Sequence, residues 1–412
     1  MLEPILRRIG IAILIGAVSC PAAPASTNAE TNAKTAPEGL RALTQKHGIH
    51  MGAAVGGTFW NGADKALYRE TLKREYDILV PENAMKFDQV EPSRGKFHWA
   101  EADELVAFAE QNGMQVRGHN LVWHQSAGWA ETSGLGRTEM LAVLRNHADS
   151  LFGRYRGRIA EWDVVNEAVD DATGNLRDTF WRKAIGDDYL DSAFHFAHRA
   201  DPQALLFYND YSAEGMGGKS DKVYALVKAM KERGVPIHGV GFQCHFDNAS
   251  WPKPADIDRN MKRLAALGLS VSITELDFRV KLPADTAGLA SQKESYRTLL
   301  GVCLSNANCK SFLTWGFTDA YSWVPSFFSG SGAALPFDAQ YRPKPAYEGL
   351  REGLASTSLA PKILRPGEAR ASGMLFKPGA YASPMFREAG TAPAMGIFKV
   401  TGFNATGKWL AE

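Results

Sequence analysis

The sequence predicts an α/β fold, a single (β/α)8 (TIM) barrel spanning residues 38–355, and three observations predict it. Eight short apolar runs recur along this stretch, helical patterns separate them, and strong polar residues gather at one end of the runs. The runs are Ala53–Phe59, Ile78–Asn83, Gln115–Trp123, Glu161–Glu167, Leu205–Asp210, Gly239–His245, Val271–Asp277 and Ser311–Phe317. They are nearly continuous in hydrophobicity and rich in Val, Ile, Phe and Trp, as strands buried on both faces of a parallel sheet are. Between them, Glu104–Gln111 sets Leu105, Phe108 and Ala109 on one face and stops at Gly113. Asp221–Arg233 carries Val223, Leu226, Val227 and Met230 at helical spacing, with Gly234 as its C′ residue. Asp256–Leu267 repeats the device with Ile257, Met261, Leu264 and Gly268. Eight alternations suit a closed barrel. An open doubly wound sheet would normally place a phosphate-binding glycine loop after its first strand, and this sequence has none there.

The flanks read differently. Arg7 and Arg8 precede an apolar run from Ile9 to Val18, and small residues lead to Ala23-Pro24-Ala25. That order is an export signal over residues 1–25, too short for a bilayer span, which takes about 20 apolar residues. The arginine pair keeps a twin-arginine route open, and Cys20 a lipoprotein one. Residues 26–37 are a small, polar linker. The tail, 356–412, is Gly-, Ala-, Pro- and Ser-rich over 366–392 and too short for a β-sandwich module of about 100 residues; disorder is expected there.

The 412 residues carry a net charge of +1, without the basic excess that phosphate-backbone binding needs, so nucleic acid is a poor partner. Ten Trp offer flat faces to sugar rings, although Trp is also ordinary core material. After leader removal the cysteines are Cys244, Cys303 and Cys309. The last two close a short loop that an oxidising compartment would let form a disulfide. Cys244 reads as a small buried residue. No zinc spacing occurs, and neither metal, cofactor nor membrane span after the leader is expected. The protein is expected to be a monomer.

In a parallel barrel the C-terminal strand ends converge on one mouth. Here they supply Glu82, Asn83 and Lys86 from the second run, and His119, Asn120, Trp123 and His124 from the third. Asn166 and Glu167 end the fourth, Asn209 and Asp210 the fifth, and Gln243 and His245 the sixth. Glu275 and Asp277 end the seventh; Trp315 and Asp319 follow the eighth. Any one of these could be a satisfied structural group, but packing does not explain the whole set at one end. Two carboxylates among amides, imidazoles, a lysine and indoles describe a sugar site. Acetal cleavage needs one carboxyl group to protonate the leaving oxygen and another to attack or stabilise the anomeric carbon. Glu167 and Glu275 lie on the fourth and seventh strands, across the barrel. Glu275 should stay ionised with help from His245, and its charge should help Glu167 keep the proton it must give. The stretch Ala213–Ser220 nearly spells a phosphate loop but lacks its first Gly and follows the wrong strand. No H-E-x-x-H or G-x-S-x-G occurs. Asp170 and Asp171 read as solvated turn residues rather than metal ligands.

From about Gly39 to Gly353 the chain resembles glycoside hydrolase family 10, on six ordered motifs: ENAMKF with EPSRGKFHW, RGHNLVWH, WDVVNEAVDD, GFQCHF, ITELD and TWGFTDAYSW. The resemblance implies a retaining endo-β-1,4-xylanase acting on xylan, with Glu167 as acid/base and Glu275 as nucleophile. It implies that Asn166 binds the 2-hydroxyl of the sugar under attack and that His245, oriented by Asp277, holds the nucleophile. Lys86, His119, Trp123, Gln243, Trp315 and Trp323 would line the subsite of cleavage, while Glu82 and Asn83 grip the next sugar. The walls, Trp323 included, would disfavour a C6 hydroxymethyl and so prefer xylose to glucose. The spacing of Cys303 and Cys309 also resembles a disulfide of some members. Two departures stand out: Ser126 where many members place Gln, and Phe87 where Trp is frequent. Both are expected to soften substrate contacts without touching the chemistry. A related barrel β-1,4-glycanase or a hydrolase of short xylo-oligosaccharides is the alternative reading. A non-catalytic sugar-binding barrel is disfavoured because both glutamates are present. Intact-mass analysis of the mature protein should show residues 1–25 missing; a retained leader would overturn the export reading.

Overall fold

The computed structural model describes residues 38–356. The expected leader (1–25), the linker (26–37) and the tail beyond Ser356 lie outside the described residues. Eight strands form the barrel: β1 (His50–Val55), β2 (Ile78–Pro81), β3 (Gln115–Val122), β4 (Glu161–Asn166), β5 (Leu205–Asp210), β6 (Gly239–Phe242), β7 (Ser270–Lys281) and β8 (Cys309–Thr314). Each pairs in parallel with the next. The ring closes where β8 pairs with β1, Ser311 beside His50 through Thr314 beside Ala53. Helices follow the strands, among them Ala100–Gln111, Arg137–Arg154, Gly218–Glu232, Pro254–Ala266 and Thr286–Ser305. No helix among the described residues is long and apolar enough to cross a membrane.

Gly113, Gly234 and Gly268 all take left-handed φ values of 60°, 76° and 73°, as the C-terminal stops of their helices require. The expected strand ends match at Asp210 and fall short of Lys281 in β7, but most of the others run too far. β1 stops at Val55, and Phe59 instead packs from a short helix, Thr58–Asn61. β2 stops before Glu82, β4 before Glu167, β6 before Gln243 and β8 before Trp315. The backbone leaves the ladder where the polar side chains begin: Glu167 and Cys244 sit at φ 58° and 62°, and Gly316 at 90°. A strand must alternate its side chains between faces, so aiming several at one mouth requires breaking the period.

Alternation divides the barrel wall. Trp162 faces outward and stacks on Phe152 of the helix Arg137–Arg154 at 4.4 Å. Its neighbours Glu161 and Asp163 therefore face inward, where fully buried Arg117 meets Glu161 at 2.9 Å and Asp163 at 2.5 Å. Another part of the interior is apolar, where Ala54, Ile78, Val80 and Leu313 form a small separate cluster beneath Trp315. Cys303 and Cys309 are bonded, with Cα atoms 5.3 Å apart, at the opening of β8 and so at the end opposite the polar cluster. Cys244 is a free, fully buried thiol.

The close fit of β3 on Trp162 is testable. A Cβ at Gly118 would come within 2.0 Å of the indole. Gly118→Ala should therefore destabilise the fold by about 1–3 kcal/mol, read as a lower urea midpoint with an unchanged slope.

Candidate active site

Glu167 and Glu275 are joined through amides. Glu167 Oε1 accepts from Asn166 Nδ2 (3.1 Å) and Gln243 Nε2 (2.9 Å), and its Oε2 accepts from Trp123 Nε1 (2.8 Å). Glu275 Oε1 accepts from Asn209 Nδ2 at 2.7 Å. The same Nδ2 donates to Asn166 Oδ1 at 2.8 Å, so one chain of hydrogen bonds runs from one carboxylate to the other. Thr274 Oγ1 donates to Asn209 Oδ1 (2.7 Å), which turns the amide nitrogen toward both acceptors. Room for that side chain comes from Gly241, where a Cβ would lie 2.1 Å from Asn209 Oδ1.

The far side of Glu275 meets a cation. A three-residue strand, His245–Asp247, pairs with the end of β7 and sets His245 beside Asp277. His245 Nε2 lies 3.1 Å from Glu275 Oε2, and Nδ1 lies 2.8 Å from Asp277 Oδ2. Trp323 Nε1 donates to the same Asp277 oxygen at 2.8 Å. Burial opposes charge on His245, but Asp277 and Glu275 outweigh it and push the pKa up to about 10. Glu275 thus has a protonated imidazole at hydrogen-bond distance. Glu167 accepts hydrogen bonds only from neutral groups; His124 stands 3.7 Å from its Oε2, and burial holds that imidazole below its ordinary pKa.

Around this chain stand the remaining candidates. Lys86 Nζ donates to Asn83 Oδ1 (2.9 Å) and lies 4.7 Å from the Trp123 ring centre. Burial lowers the Lys86 pKa and raises that of Glu82. His119 Nδ1 meets Asp163 Oδ2 at 3.0 Å, and its ring packs edge-on against Trp315, while Trp323 packs against His245. A cavity of about 370 Å³ opens between Glu82, Trp315, Trp323 and Tyr321. Gly56 makes room for Glu82 there, since a Cβ would approach Glu82 Oε2 to 2.3 Å. Every sequence-selected residue except the disulfide pair is therefore gathered at one mouth.

Some readings change. Phe87 does not face the mouth; it is 4% exposed and stacks on His147 at 4.2 Å, so this departure is a packing change and not a substrate one. Ser126 bends at φ 52°, and its carbonyl accepts from the Asp88 N–H at 3.0 Å. Asp171 is more than a solvated turn residue, because Lys219 Nζ meets its Oδ1 at 2.7 Å. Lys219 also contacts Asp210 at 2.7 Å, so the lysine of the near-phosphate loop is occupied by carboxylates. Asn209, at a strand end in the sequence, joins the site through its register beside Asn166, which the sheet alone sets.

The model of glycosyl hydrolase family 10 matches residues 39–353. The chain belongs to glycosyl hydrolase family 10. Within that family it is 43% identical over 315 residues to endo-1,4-beta-xylanase B of Thermotoga neapolitana, covering 76% of this chain and 90% of the relative. Native xylanase 10B of Thermotoga maritima superposes with a TM-score of 0.75 at 43% identity, over 77% of this chain and 98% of that one. Xylanase 10B of Thermotoga petrophila RKU-1, solved with xylobiose, gives 0.76 at 42%, over 78% and 98%. The closed barrel is thus shared with solved members of that family.

The His245 cation has a measurable consequence. It is charged in the folded protein up to about pH 10 but in the unfolded chain only below its ordinary value of 6.5. Its stabilisation is therefore complete below pH 6.5 and lost as pH rises toward 10. The stability gap between wild type and His245→Asn, from urea titrations, should be constant at acid pH and shrink across that window.

Proposed function

We propose that this chain is an exported, retaining endo-β-1,4-xylanase with Glu275 as nucleophile and Glu167 as acid/base. The observation that carries the assignment is the asymmetry of one hydrogen-bonded pair. Glu275 contacts an imidazole held in its cationic form, whereas Glu167 accepts hydrogen bonds only from neutral groups. In the first step Glu167 gives its proton to the glycosidic oxygen as Glu275 forms a bond to the anomeric carbon and the C–O bond breaks. In the second, Glu167 takes a proton from water as that water displaces Glu275, restoring the original anomer.

Asn166, which accepts from Asn209 and donates to Glu167, would bind the 2-hydroxyl of the reacting sugar. Lys86, His119, Trp123, Gln243, Trp315 and Trp323 would surround that sugar, with Glu82 and Asn83 on the next one. The apolar wall of Trp315 and Trp323 supports xylose, which lacks the C6 hydroxymethyl. Export is supported by the leader-like residues 1–25 and by the Cys303–Cys309 disulfide.

Product analysis on glucuronoarabinoxylan, carboxymethylcellulose and xylobiose tests the substrate class, and xylan should be turned over fastest. Glu275→Ala should abolish xylan hydrolysis, and Glu167→Ala should lower kcat on the order of 10²- to 10⁴-fold. The first product anomer seen by NMR should be β. An α-anomer would overturn the retaining mechanism.

A further inference from the structure

Glu167 holds a left-handed backbone at φ 58°, which costs an L-residue roughly 1–2 kcal/mol. Something has to impose it. Every backbone polar group from Glu167 to Val169 is caught. The Glu167 N–H donates to the Asn209 carbonyl at 2.8 Å, and the Ala168 carbonyl accepts from the Arg177 N–H at 2.7 Å. The Arg177 guanidinium donates to the carbonyls of Glu167 (3.1 Å) and Val169 (3.2 Å). The remaining two groups, the N–H of Ala168 and of Val169, both donate to the Tyr208 hydroxyl, at 3.1 and 3.2 Å.

Tyr208 is fully buried behind this turn. Its hydroxyl accepts twice and donates once, to Asp210 Oδ2 at 2.5 Å. Asp210 is itself held by Lys219 Nζ (2.7 Å) and the Tyr211 N–H (2.9 Å). A hydroxyl with its proton committed to a carboxylate presents its lone pairs elsewhere, here to two N–H groups. Asp210 therefore sets the direction in which Tyr208 accepts.

We propose that the Tyr208 hydroxyl, backed by Asp210 and working with Arg177, is the positioning device of the acid/base, aiming the Glu167 carboxyl at the glycosidic oxygen. The proposal rests on the assignment of Glu167 made above. Tyr208 reaches no substrate and acts only through the turn it holds. A carboxyl group displaced by about 1 Å can lose on the order of 10²-fold in rate. That loss falls selectively on bonds whose breaking needs a proton. A sugar alkoxide is a poor leaving group and must be protonated as the C–O bond breaks. A 2,4-dinitrophenolate departs as a stable anion and takes no proton from Glu167.

The test compares kcat/KM, which reports the first chemical step, for Tyr208→Phe on xylan and on aryl β-xylobiosides of graded leaving-group acidity. Glu167→Ala serves as the reference for complete loss of acid catalysis. Arg177→Gln, at a partly exposed position, carries the same test if Tyr208→Phe does not fold. The expected result is a fall on the order of 10²-fold on xylan, with an unchanged KM and with the dinitrophenyl substrate within a few-fold of wild type. An equal fall on every leaving group, or none, overturns the proposal. If Glu167→Ala itself keeps the wild-type dependence on leaving group, the acid/base assignment fails and the positioning role falls with it.

Discussion

Two carboxyl groups share the mouth of this barrel, and a single amide, that of Asn209, links their supports. Asn209 Nδ2 donates to Glu275 and to Asn166, whose own amide nitrogen donates to Glu167. Neutral amide donors between two carboxyl groups satisfy the oxygens of both without supplying a counter-ion to either. Much of the local architecture serves that amide: Thr274 orients it, Gly241 leaves it space, and the registry of β4 on β5 sets Asn209 beside Asn166. The cation comes from one side only, through His245 and Asp277, and this makes two chemically identical side chains unequal.

The mouth rests on a polar floor. Arg117, Glu161, Asp163 and His119 are all buried inside the wall formed by β3 and β4, where the Arg117 guanidinium meets both carboxylates and His119 meets Asp163. Burying such a set gives up much hydration, and its net contribution to stability is small or unfavourable compared with an apolar core. What it does provide is direction. Asp163 accepts from both Arg117 and His119, so the imidazole is anchored below Trp315 in one orientation. A smaller part of the interior, around Ala54, Val80 and Leu313, is apolar and supplies ordinary packing.

The fold was legible because burial on both strand faces leaves an unmistakable texture, and the helix ends because left-handed glycines mark them. Strand ends were less so. The runs through Glu167, Gln243 and Trp315 continue past the last ladder residue, where Gln243 is buried and Glu167 and Trp315 are half-buried at the mouth. Phe87 was misplaced for a related reason: a motif holds residues that face the mouth and residues that face the helices, and spacing alone does not tell them apart. Its ring belongs with His147, which in turn meets Glu91 at 2.8 Å, so part of the EPSRGKFHW motif is structural.

By itself the sequence determined the barrel, the two glutamates and the residue types that surround them, because each follows from local pattern or from a motif of neighbouring residues. It also determined the pairing of Cys303 with Cys309, which only a short loop separates. The sequence pointed to His245 beside Glu275. Tertiary structure alone decided that this imidazole is held as a cation, since the strand His245–Asp247 must leave the barrel and re-pair with the end of β7 to set it between Asp277 and Glu275. It alone decided that Asn209 is the bridge and that Tyr208, Asp210 and Lys219 stand behind Glu167. Those partners lie tens of residues apart along the chain. Hydrogen bonds depend on distance and angle between groups that only the closed barrel brings together.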